Sequence, residues 1–151
     1  MSEDMRDRPV SGYFDGKQHR FPVRVYFEDT DLSGIVYHAN YLRFMERARS
    51  DMLRLAGVDQ RATMEAGEGA YAVVDLAIKY RMPAKLDDDL VVVSHVTGVR
   101  AASCAIHQRV MRGGDILTQG DVTAALVAAN GRPKRQPREW IDAFKRLEMG
   151  D

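Results

Sequence analysis

The 151-residue chain reads as α+β, a five-stranded antiparallel sheet wrapped around one long central helix. Three observations predict it. An alternating strand comes first, one apolar-rich helical segment follows, and four strand-like segments then fill the second half, the last three long and joined by brief turns. A doubly wound nucleotide-binding fold would need helices and strands in alternation, and neither G-x-G-x-x-G nor G-x-x-x-x-G-K-[ST] occurs.

Residues 1–20 mix charge with Gly and Pro and lack an apolar period, which predicts a flexible N-terminal arm and one folded domain over residues 21–151. In FPVRVYFED, Phe21, Val23, Val25 and Phe27 alternate with Pro22, Arg24, Tyr26 and Glu28, the period of a half-buried strand. DTDLSG breaks it with turn chemistry. From Tyr41 to Ala56 the stripe Tyr41, Phe44, Met45, Ala48, Met52 and Leu55 has helical spacing, widened by Leu42, Leu53 and Ala56. Asn40 is the expected N-cap and Gly57 the expected C-cap. So broad an apolar arc belongs to a helix wrapped by a sheet. Arg49 falls inside the arc and Glu46 at its edge, three residues apart and able to pair.

Residues 58–69 read as a short irregular helix and loop. Strands are predicted over 70–80, 90–99, 103–111 and 116–129, and Trp140, Ile141, Phe144 and Leu147 mark a short C-terminal helix.

Composition narrows the function classes. With 45% hydrophobic residues the chain can bury a core without disulfides, and 22 basic against 22 acidic residues leave no net charge to attract nucleic acid or an anionic membrane. Cys104 is the only cysteine, read as a small apolar strand residue, and a thiolate metal site is excluded. His19, His95 and His107 lack ligand spacing, so no metal is expected. No apolar run approaches the roughly 18 residues of a membrane span, and the N-terminus has no signal-peptide core, which points to a cytoplasmic protein.

The most informative stretch is FEDTDLSGIVYHANYLRFMERARSDMLRLAG. It places Asp31 on a turn just before a helix whose N-terminal amides can polarise a carbonyl oxygen. A carboxylate facing an oxyanion site suits acyl transfer. Asp29 and Asp31 also fit as plain turn formers, and the residues alone do not decide between these readings.

The string resembles the hotdog-fold thioesterases of the 4-hydroxybenzoyl-CoA thioesterase family, and within it the YbgC-type, Tol-Pal-associated acyl-CoA thioesterases. The matching residues are Asp29-Thr30-Asp31, Gly34-Ile35-Val36-Tyr37-His38, Asn40-Tyr41 and Phe44-Met45-Glu46-Arg47-Ala48-Arg49. Tyr80-Arg81, Pro83-Ala84, Asp89-Leu90 and the strand bearing Gln108 extend the likeness over about residues 21–130. The resemblance implies a hotdog fold and hydrolysis of an acyl-CoA to free acid and coenzyme A, without a cofactor. It implies a catalytic Asp31, as nucleophile or general base, and a backbone amide at His38 that faces the thioester carbonyl. The side chain of His38 would orient Asp31, substrate or water. Gly34, Val36, Tyr37 and Tyr41 would shape the oxyanion and acyl sites, with Glu46 a second candidate acid.

Coenzyme A phosphates call for basic residues, for which Lys79, Arg81, Arg100, Arg132, Lys134 and Arg135 are candidates. The resemblance further implies a homo-oligomer, dimer or tetramer, in which sheets join edge to edge, and an association with an envelope system. Two rival readings stay open: an acyl-CoA-binding scaffold without catalysis, and a hotdog dehydratase acting on hydroxyacyl thioesters.

Overall fold

The computed structural model describes residues 4–150. Its elements run β1 (Tyr13–Asp15), β2 (Gln18–Arg24), α1 (Asn40–Leu55), α2 (Gln60–Glu65), β3 (Ala70–Tyr80), β4 (Asp89–Val99), β5 (Ser103–Arg112), β6 (Asp115–Val127) and α3 (Arg138–Leu147). All strands pair antiparallel in one sheet of order β1-β2-β4-β5-β6-β3. The sheet has six strands where five are predicted from the sequence. β3 lies at one edge, hydrogen-bonded along its length to β6 alone.

The period-2 strands and the helical stripe meet in the core. Leu90 and Val92 of β4, Val110 of β5 and Leu117 of β6 pack with Val25 against Tyr41, Phe44, Met45 and Ala48 of α1. A second cluster joins Met52 and Leu53 to Val96, Cys104, Ile106 and Phe144 of α3. Burial pushes the Cys104 thiol up to about 12, which makes it the inert core residue the sequence predicts.

Several expectations are corrected. Part of the predicted arm belongs to the sheet, since β1 and the start of β2 lie before residue 21, Tyr13 pairing Arg20 and His19 pairing Ser94. A polar anchor holds it. The buried Asp51 carboxylate accepts from His19 Nε2 at 2.7 Å, Ser11 Oγ at 2.9 Å and the Gly12 amide at 2.9 Å. Gly12 is required by this close approach, because a Cβ there would lie 2.4 Å from the Arg20 carbonyl oxygen.

Phe27 does not continue the buried side of β2. A one-turn 3₁₀ helix over Phe27–Asp29 turns it outward, to 81% exposure. Asn40 is the first residue of α1 rather than its cap, because its side chain is drawn to Asp29. Leu55 is 45% exposed, in the last turn of the helix.

Candidate active site

The loop between β2 and α1 is built on Asp29, not Asp31. The Asp29 carboxylate is buried and accepts from Asn40 Nδ2 at 2.6 Å and the Tyr26 amide at 2.8 Å, while its carbonyl accepts from the Tyr37 amide at 2.9 Å. These hydrogen bonds reach from one buried residue to Tyr26, Tyr37 and Asn40, so it ties the loop to the helix start. Its role exceeds the turn formation expected from the sequence.

Asp31 stands on the rim of this frame, exposed. Its Oδ1 accepts from the Ser33 amide at 2.8 Å and the Ser33 hydroxyl at 2.5 Å, and Oδ2 takes no hydrogen bond from the described residues. The Ser33 donors, with a smaller contribution from His38, hold the Asp31 carboxyl below the usual carboxylate range. The group is therefore ionised at neutral pH and presents one free oxygen. Gly34 closes the turn at φ +83°, with its amide donating to the Asp31 carbonyl at 3.0 Å.

The register of the loop decides which amides are free. Tyr37 gives its N–H to the Asp29 carbonyl, and Asn40 gives its own to the Tyr37 carbonyl at 2.8 Å. The amides of His38 and Ala39 reach no acceptor among the described residues. Both lie at the N-terminus of the 16-residue helix α1, where the dipole is positive. The Tyr37 amide, a candidate oxyanion donor on sequence grounds, is thus already occupied. The His38 carbonyl on the far side of that segment accepts from Tyr80 Oη at 2.8 Å, and the imidazole packs 4.6 Å from the Tyr37 ring and 6.2 Å from that of Tyr80.

An exposed carboxylate beside unpaired helix-start amides is a geometry several hydrolases could use. The family is identified by the match of the thioesterase superfamily model to residues 33–119, which runs from just after Asp31 through α1 and β3 to β5 into β6. The chain belongs to the thioesterase superfamily. The acyl-CoA thioesterase YbgC of Haemophilus influenzae is 43% identical to it over 129 residues, covering 85% of this chain and 95% of that one. The acyl-CoA thioester hydrolase YbgC of Escherichia coli O157:H7 is 38% identical over 128 residues, covering 83% and 95%. Among solved structures, a probable thioesterase from Bartonella henselae superposes with a TM-score of 0.76 at 35% identity, covering 80% of this chain and 99% of that one. The six-stranded sheet around α1 is the hotdog fold of these thioesterases.

The remaining candidates of this thioesterase divide by position. Val36 is buried, its amide given to the Ala84 carbonyl at 2.9 Å. Tyr41 is 3% exposed and its hydroxyl accepts from the Ala84 amide at 3.1 Å, so it braces the loop from the core side. Tyr37 is exposed beside His38. Glu46, six residues into α1, lies about 9 Å along the helix axis from Asn40 at 1.5 Å per residue. It does not form the ion pair with Arg49 that their spacing allows, because the Arg49 guanidinium turns inward and donates from Nη1 to Gln108 Oε1 at 2.9 Å. Lys79 and Arg81 flank Tyr80 at the C-terminal end of β3. Arg100, Arg132, Lys134 and Arg135 gather at the opposite end, where Ala70 pairs Val127 and the Lys134 amide donates to the Leu126 carbonyl.

Sequence reasoning missed Ser33 and Tyr80 as parts of the site. The D-x-S spacing of an Asx-type turn could have revealed Ser33, whereas Tyr80 is 42 residues from His38 and only the fold joins them. No helix of the described residues is long and apolar enough to cross a membrane.

Proposed function

We propose that the chain hydrolyses acyl-CoA thioesters with Asp31 as the catalytic carboxylate and the His38 amide as the principal oxyanion donor. The observation that carries this reading is the pairing of an ionised, half-free carboxylate with unpaired amides at the start of one helix. Oδ2 of Asp31 either attacks the thioester carbonyl carbon or takes a proton from the water that does. In both routes the C–S bond breaks, coenzyme A leaves as its thiolate, and the oxyanion is held by the amide and the helix dipole; in the first route a water then cleaves the acyl-Asp31 anhydride to free acid and restores the carboxylate, and in the second the water oxygen becomes part of the free acid directly. No step calls on a metal or a redox cofactor.

The working form is a homodimer joined along β3. That strand leaves one edge open, and Val73, Val74, Leu76 and Tyr80 on it are 50, 59, 38 and 46% exposed. An apolar open edge is a template for antiparallel pairing with a second copy. Such pairing sets the N-terminal half of one β3 against the C-terminal half of the other. The partner's basic group near Ala70 then approaches the loop of Asp31, giving coenzyme A phosphates a cationic mouth. A protein of this kind works in the cytoplasm, where acyl-CoA is made and used.

Release of free thiol from a panel of acyl-CoAs tests the reading. Asp31→Asn keeps the size of the side chain and removes its charge, so kcat should fall at least ~10²-fold with KM little changed. His38→Ala should cost less, because the amide remains. Near wild-type turnover in Asp31→Asn, with circular dichroism confirming the fold, would move catalysis elsewhere.

A further inference from the structure

Asn40, the first residue of α1, is 6% exposed and faces Asp29, itself 5% exposed. An ionised carboxylate only accepts, so Asn40 turns its amide nitrogen toward it, and Nδ2 donates to Asp29 Oδ1 at 2.6 Å. That bond closes a circuit. The Tyr37 amide donates to the Asp29 carbonyl at 2.9 Å, and the Asn40 amide donates to the Tyr37 carbonyl at 2.8 Å. His38 and Ala39 are the two residues held between its fixed ends.

The polar groups of the main chain across this span can be accounted for one by one. The Tyr37 carbonyl takes the Asn40 amide, the His38 carbonyl takes Tyr80 Oη at 2.8 Å, and the Ala39 carbonyl takes the Leu42 amide at 3.2 Å. The amides of His38 and Ala39 alone are left without an acceptor among the described residues. Ala39 stands where a helix ordinarily carries a capping side chain, and no side-chain cap bond is made there. A Ser or Asp cap would set its own oxygen on the positive end of the helix, where an oxyanion would bind. The bond between Asp29 and Asn40 fastens the helix start from the side instead, and leaves that end open.

We propose that Asn40 is a positioning residue for the oxyanion site: through Asp29 it fixes the peptide that carries the His38 amide, with that amide outward and unshared. The inference rests on the acyl-CoA hydrolase reading and adds to it a buried residue behind the reacting groups. A neutral donor suits the task, because an acid at this position would set two carboxylates against each other out of water. Without the donor, Asp29 Oδ1 becomes a buried acceptor in want of a partner. The unshared amides of His38 and Ala39 are the donors of this span open to it, and the oxyanion would then compete with a carboxylate for them.

The test compares Asn40→Ala, Asn40→Asp and the exchange Asp29→Asn/Asn40→Asp on the most rapidly cleaved of a panel of acyl-CoAs, with circular dichroism and thermal unfolding giving the folded fraction. Asn40→Ala should lower kcat at least ~10-fold with KM little changed, since a small misplacement of an oxyanion donor costs that much. Asn40→Asp should lose as much or more. The exchange moves the donor to residue 29, whose amide oxygen can still accept from Tyr26, and should bring kcat back to within about threefold of wild type, the coupling expected of residues in direct contact. A folded Asn40→Ala with wild-type kcat confines the side chain to stability and overturns the proposal while leaving the hydrolase standing. An exchange that recovers no more activity than Asn40→Asp does the same, and it decides the matter where Asn40→Ala does not fold. A wild type that releases no coenzyme A from any thioester removes both readings.

Discussion

The phenol of Tyr80, the last residue of β3, donates to the carbonyl oxygen of His38 at 2.8 Å. This bond couples the open sheet edge to the peptide segment that carries the unpaired helix-start amides. A change at the edge is therefore felt at the proposed oxyanion donor. Tyr80→Phe removes the donor and keeps the ring against Tyr41, whose centroid is 5.6 Å away. A hydrogen bond of this kind is worth about 1 kcal/mol, so kcat should fall roughly fivefold with little loss of stability. Steady-state kinetics beside thermal unfolding separates the two, and an unchanged kcat would detach β3 from the site.

Ser33 sets the acidity of Asp31 through both its amide and its hydroxyl. Because those bonds favour the ionised form, the proposed catalytic carboxylate persists to lower pH than an isolated aspartate would. Ser33→Ala deletes the hydroxyl and leaves the amide. The acid limb of kcat/KM against pH should then move to higher pH, so that activity is lost sooner on acidification, while the neutral plateau changes less. A limb that stays in place would mean that another group controls it.

The four long strands were legible because each keeps a two-residue period between turn signals, and β3 to β6 end within two residues of the predicted limits. The central helix was legible from its apolar arc. The seven-residue stretch from Asp31 to Tyr37 was visible as a motif, but not the assignment of amides within it, which follows from the hydrogen bond between Tyr37 and the Asp29 carbonyl. β1 and the start of β2 were illegible for a different reason. Their anchor is polar and non-local: Asp51 reads as a solvent-facing charge on a helix, and its partners Ser11, Gly12 and His19 lie 40, 39 and 32 residues away. Local periodicity carries no information about such a contact. The same holds for Arg49, whose partner Gln108 is 59 residues away.

Asp51 makes the N-terminal segment part of the fold's stability. Burial raises its pKa, but the His19, Ser11 and Gly12 donors outweigh that and leave it below the ordinary value. A lowered folded-state pKa gives stability that is present above the unfolded aspartate value of about 3.9 and is lost as pH falls through the folded one. Asp51→Asn should cost about 3 kcal/mol at pH 7, in the range for breaking a buried pair, and the difference from wild type should shrink below about pH 4. A chain starting at Lys17 loses two of the three donors and should be less stable by about 2 kcal/mol. Urea unfolding at the two pH values checks both, and a truncated chain as stable as the full one would return these residues to a dispensable arm.

The dependence of turnover on the β3 edge is the most discriminating expectation of the proposed homodimer. Val74 is 59% exposed and sits at the irregularity between Val73 and Asp75, where the pairing with β6 shifts by one residue. Its side chain has no part in the core of the single chain, so Val74→Lys should fold with wild-type stability. A lysine on an open edge opposes pairing with a second copy, because two like charges would meet near the two-fold axis in a strip that association dries. Sedimentation should show a monomer at micromolar concentration. Asp31, Ser33 and the His38 amide are untouched in that monomer, yet acyl-CoA hydrolysis should fall by at least ~10²-fold, since the exposed loop has lost the facing wall that excludes water and holds the acyl group. Raising protein concentration should recover activity in step with the dimer fraction, which a direct effect of the lysine on the loop would not produce. A fully active monomer would place the whole site within one chain.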